Sequence, residues 1–175
     1  MTIKALILLY VIATATCCSF SVSAQTNLSL ENISSKIKTN NPMNKVKDEM
    51  SFVKYSNAAL ELMEKKAREI SIIGVAIVGY IPGDKTSTWV TKMKAVDVLA
   101  NAKSNYLAIA YSKAAEMANT LQNSGIDKSR PILSGEFGYQ GGLIRKIEGG
   151  YIIVVFSGGT SEQDLQVSEV GLNAL

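Results

Sequence analysis

Apolar and polar positions follow two periods along this chain. From Lys54 to Ile70, Tyr55, Ala58, Ala59, Leu62, Met63, Ala67 and Ile70 recur at three- and four-residue spacing while charged residues fill the other faces, which predicts an amphipathic helix. Ser71 to Tyr80 (SIIGVAIVGY) is β-branched and too apolar for a strand with a wet face, so it reads as a central strand. Pro82-Gly83-Asp84 turns the chain, and Thr86 to Met93, with Trp89 alternating against polar neighbours, returns as an antiparallel partner. A second helix covers at least Asn105 to Gln122, with Leu107, Ala110, Tyr111, Ala114, Ala118 and Leu121 on one stripe and Gly125 beyond its end. Its apolar period can be traced back to Val96, so Asp97 and Ser104 are both N-cap candidates.

Ile126 to Gly142 is a glycine-rich loop without the Gly-Lys-Ser/Thr ending of a phosphate loop. Leu143–Ile147 and Tyr151–Ser157 (YIIVVFS) form two strands about a tight turn at Gly149-Gly150. After Gly158-Gly159, Thr160 and Gln163 stand at capping-box spacing at the head of a last helix, with Glu162 and Asp164 placed well for its dipole. Helix, strand, strand, helix, strand, strand, helix with antiparallel hairpins implies an α+β domain over residues 50–175, one sheet with helices packed on it.

Composition changes the picture at the N-terminus. Residues 1–24 read as a secretory signal, with Lys4, the apolar run Ala5 to Thr16, and Val22-Ser23-Ala24 before Gln25. Residues 25–49, with five Asn, four Lys and Pro42, read as a polar arm or linker, in which Asn27 and Asn32 head glycosylation-type triplets. The expected address is periplasmic or extracellular; the alternative is a lipoprotein anchored through Cys17 or Cys18, although Thr14-Ala15-Thr16 lacks a large aliphatic residue before the cysteines. No apolar run is long enough to span a bilayer. Cleavage after Ala24 changes the net charge from +3 to +2, too little to attract nucleic acid, and removes both cysteines. The chain has no His, so Ser-His-Asp and Cys-His hydrolysis, His or Cys zinc sites and proximal-His haem ligation are excluded within the processed chain.

The C-terminal third holds the most specific pattern. Gly141-Gly142-Leu143, a hairpin, then Ser157-Gly158-Gly159-Thr160-Ser161-Glu162-Gln163-Asp164 and Gly171-Leu172 resemble the haem-binding or haem-degrading family that includes the glycolate-operon protein and a streptomycete extracellular haem-binding protein. Ala110-Tyr111-Ser112-Lys113-Ala114 is similar to that family's Ala-x-x-Lys-Ala segment. The resemblance covers about residues 50–175 and implies a two-layer sandwich of profilin-like or PAS-like outline, homo-oligomers, and a ligand site. Where the family has glycines before Ser-Gly-Gly, this chain has Ile152, Ile153, Val154 and Val155, whose bulk fills space that glycine leaves free.

The expected site joins the turn after the last strand to the middle helix across a cavity open to solvent. Gly158 and Gly159 ahead of Thr160 can offer N–H groups to a carboxylate or haem propionate, or can be a tight turn capped by Thr160 alone. Lys113, nearly in line with Tyr106 along the helix, pairs with a ligand carboxylate in one reading and puts its ammonium in water in the other. Gly141, Gly142 and Tyr111 join the candidate ligand site through the resemblance, and Tyr111, Tyr139 and Met93 are the candidate axial groups should haem bind. The function expected is an exported, non-catalytic binding protein for haem or another small anionic ligand. A weak haem-degrading enzyme and an oligomeric interaction module without a ligand are the alternatives.

Overall fold

The computed structural model describes residues 45–175; the expected signal, both cysteines, the glycosylation-type triplets and most of the polar arm lie outside them. The elements are α1 (Glu49–Glu69), β1 (Gly74–Pro82), β2 (Val90–Val96), α2 (Tyr106–Thr120), β3 (Gly142–Ile147), β4 (Gly150–Ser157) and α3 (Ser161–Ala174). The α+β class and the element order are as the periodicity predicts.

Four antiparallel strands pair in the order β2-β1-β4-β3. The two most apolar segments are therefore the two central strands, which removes their backbone groups and both of their faces from water. Alternate residues feed two cores. Ala76, Val78, Tyr80, Ile152, Val154 and Phe156 meet α1 and α3 on one face, and Val75, Ile77, Ile153 and Val155 meet α2 on the other. The run Ile152–Val155 is fully buried between these helix layers. Glycine pairs with glycine's usual consequence at Gly171, where a β-carbon would come 2.5 Å from Met63 Sδ and 2.8 Å from Val154 Cγ1, so its absence lets α3 lie close to the sheet.

Several boundaries differ from the sequence reading, among them β1, which runs from Gly74 to Pro82 rather than from Ser71 to Tyr80. Helix α1 begins five residues earlier than expected because Asp48 and Ser51 form a reciprocal capping box. Residues 45–49, read as the end of the arm, are built into the unit: Val46 is buried, and the Lys45 and Val46 N–H groups donate to the Leu175 carbonyl at 2.9 and 3.0 Å. Strand β2 starts at Val90 rather than Thr86, since Thr86 Oγ1 donates instead to the Ala118 carbonyl of α2 at 2.6 Å. The N-cap of α2 is neither Asp97 nor Ser104. Val96 completes β2, and Asn105 caps the helix by accepting from the Ala108 N–H at 2.9 Å.

The β3–β4 turn is tied to β1 by Tyr80, whose hydroxyl donates to the Gly149 carbonyl at 2.8 Å while its ring stacks on Phe52. Tyr80→Phe keeps the packing and leaves that carbonyl its bond from the Gly83 N–H. The expected loss is about 1 kcal/mol, measured as a shift in urea midpoint with unchanged slope.

Candidate functional site

Helix α2 has only two charged side chains, Lys113 and Glu116, and both are buried, at 3% and 4% exposure. Its alanines Ala110, Ala114 and Ala118 face the sheet, so the helix approaches closely and carries Lys113 under the end of β4. There the ammonium donates to the Phe156 carbonyl at 2.9 Å and to Asp164 Oδ2 at 2.7 Å. Asp164 sits in the first turn of α3, and its Oδ1 accepts the Gly159 N–H at 2.8 Å. One carboxylate of the chain thus takes both the helix cation and a turn donor.

The reading that puts the Lys113 ammonium in water is corrected by this geometry, which buries it beside Asp164. Burial pushes the Lys113 amine below the usual lysine range although Asp164 opposes it. Burial likewise pushes the Asp164 carboxyl up, against Lys113 and the Gly159 and Gly158 N–H groups. Each partner is drawn toward its neutral form because the pair has left water. Thr160 is the N-cap of α3, joined to Gln163 by a capping box, while the Gly159 N–H donates to Asp164 and not to Thr160.

Beyond the end of β4, a cavity of about 370 Å³ opens above the pair. Tyr106, Ile109 and Lys113 line it from α2; Ser157, Gly158, Gly159, Ser161 and Asp164 from the β4–α3 turn; and Ser104, Tyr139 and Gln140 from the neighbouring loops. The Ile and Val side chains of β4 do not enter it. Of the expected site residues, the fold brings Lys113, Tyr106, Gly158 and Gly159 together here. Thr160, Tyr111, Gly141 and Gly142 are not on this lining. Tyr111 packs against the α2 core together with Met93. Gly141, at φ +128°, lets the pair close, for a β-carbon there would stand 2.5 Å from Lys113 Nζ. A β-carbon at Gly142 would overlap Met117 Sδ. Ser104, Ile109, Gln140, Ser157 and Ser161 are not among the expected site residues: Ser104 reads in sequence only as a cap, Ser157 and Ser161 only as part of the motif, and Ile109 and Gln140 carry no sequence signal for a cavity wall.

The lining does not fit haem. Its one ammonium is already neutralised by Asp164, its only aliphatic side chain is Ile109, and of the candidate axial groups Tyr139 alone is on the lining, Tyr111 and Met93 being packed against the α2 core. Among the described residues, no group of three or more His, Cys, Asp or Glu is placed to hold a metal ion, and no helix is long and apolar enough to cross a membrane.

The same fold occurs in the crystal structure of Klebsiella pneumoniae protein ORFY, described as family-model DUF336, with a TM-score of 0.51 and 22% identity over 77% of this chain and 94% of that one. Neither a protein-family model nor a curated protein matches the sequence.

Proposed function

We propose that the chain is an exported, non-catalytic binding protein that holds a small polar ligand in the cavity between α2 and the β4–α3 turn. The observation that supports this most is the convergence there of a buried Lys113–Asp164 pair with a polar-lined cavity of about 370 Å³, within the usual size range of small-ligand sites. The likeness of fold to the DUF336 protein is consistent with the resemblance drawn from Ala-x-x-Lys-Ala and Ser-Gly-Gly-x-x-Glu-Gln-Asp, and the pair joins one residue from each segment. The anionic ligand expected from sequence is disfavoured, because Asp164 already takes the donors that would hold it.

A second reading, the oligomeric interaction module, is favoured by the loop from Ile126 to Gly141. Ile132, Leu133, Phe137 and Tyr139 are each about half exposed or more there, with Phe137 and Tyr139 stacked 5.6 Å apart. Arg130 pairs with both Glu136 oxygens within the loop, leaving an apolar outer surface of the kind that marks interfaces. Native mass spectrometry of protein recovered from its own compartment reports on both readings. The binding reading expects a bound mass that is lost on mild activation. Apoprotein throughout, as a multimer, would leave only the module.

A further inference from the structure

We propose that the cavity takes an uncharged, polyhydroxylated ligand, a monosaccharide or polyol; this rests on the binding reading and names its ligand class. The ion pair on the floor sums to zero, and no other Lys, Arg, Asp or Glu lines the cavity. An anion would find Asp164 already in its place, and a cation would find that carboxylate already neutralised. Neither sign of charge is selected, while groups that hydrogen-bond without charge are abundant.

Ser157 is the most informative of these. It is only 3% exposed as a residue yet lines the cavity, so what little of it is accessible faces the space a ligand would fill. A hydroxyl that reaches the cavity surface is free to bond a ligand or an ordered water. The Ser104, Ser161 and Tyr139 hydroxyls and the Gln140 amide stand around the same space, without side-chain partners among the described residues. Each hydroxyl both donates and accepts, which matches the alternating demands of a sugar or polyol and wastes capacity on a carboxylate, which only accepts. Tyr106 from α2 and Tyr139 from the loop add ring surfaces for the C–H faces of such a ligand, each with a polar tip.

The test is calorimetric titration of the purified full chain with D-glucose, D-galactose and glycerol, and separately with acetate, lactate and hemin. At least one neutral compound is expected to bind saturably. Its affinity is expected to be unchanged between low and high salt, as befits contacts without net charge, and to fall roughly tenfold in Ser157→Ala and again in Tyr139→Ala. Binding of acetate, lactate or hemin with no response to the neutral compounds would overturn the inference and leave the binding reading standing. No saturable heat from any of the six, together with no bound mass in the native spectrum, would overturn both.

Discussion

Asp164→Ala is expected to cost about 3–5 kcal/mol, the largest effect of any side-chain truncation in the site. The Lys113 ammonium would keep the Phe156 carbonyl and lose its only counter-charge, while remaining almost wholly out of water. The Gly159 N–H would lose its acceptor at the same time. The damage should therefore exceed that of the pair's removal. In Lys113→Met/Asp164→Leu no buried charge is left behind, and the double variant is expected to recover most of the loss, since replacing a buried pair by apolar groups of similar volume is often near neutral. The truncation also leaves a hole shaped for a small carboxylate between an ammonium and a backbone donor. Formate or acetate at millimolar concentration should raise the urea midpoint of Asp164→Ala and leave the parent unchanged. A cost below about 1 kcal/mol, or a double variant as unstable as the single one, would show that the pair is not the buried tie described here.

This pair also marks how far the sequence could be read. The capping box at Thr160, the β3–β4 hairpin and the apolar strand β1 are local: neighbours within four residues decide them, and periodicity sees that range. The hairpin nevertheless turns at Glu148-Gly149, one residue earlier than the sequence predicts, with Gly150 already in β4. The Lys113–Asp164 contact joins residues 51 apart in the chain. Along α2 alone, Lys113 sits at the edge of an apolar stripe, which suits either a solvent-reaching stem or a ligand contact. Asp164 on its own reads as a charge favourable to a helix N-terminus. Only the crossing of α2 beneath the end of β4 makes one the partner of the other. The same limit applies to Gly141, which resembles a ligand-loop glycine in sequence but serves in the fold to make room for that ammonium. The start of α2 failed for a different reason: Ser104 and Asn105 are both competent caps, and the isolated bridge between Ala100 and Asn105 fixes which one turns into the helix.

The turn that presents Gly159 to Asp164 depends in turn on Gly158, and Gly158→Ala is expected to destabilise by at least about 3 kcal/mol. A β-carbon on Gly158 would overlap the Ile73 carbonyl oxygen and lie 2.8 Å from its carbon and 2.9 Å from Gly74 Cα. All three are backbone atoms at the point where β4 leaves the sheet beside the start of β1, so no rotamer change relieves the clash. Gly74 faces the same place at φ +151°, and a β-carbon on it would overlap the Ser157 carbonyl oxygen. The two glycines let β1 and β4 stay paired up to Val75 and Ser157, the last register pair before the turn. Forcing them apart displaces Ser157 and Gly159 together, so the variant should lose ligand as well as stability. Gly159→Ala is the control. Its β-carbon would meet Gln163 Oε1 at 2.9 Å and Ile72 Cδ1 at 3.2 Å, which can move aside, and Gln163 Cβ at 2.9 Å, which shifts only with the first turn of α3, so the cost is smaller, about 1–2 kcal/mol. Urea denaturation of the two variants side by side decides the matter: equal costs would mean that the strands can part at this end without penalty, and that the donors of the turn are not held in place by it.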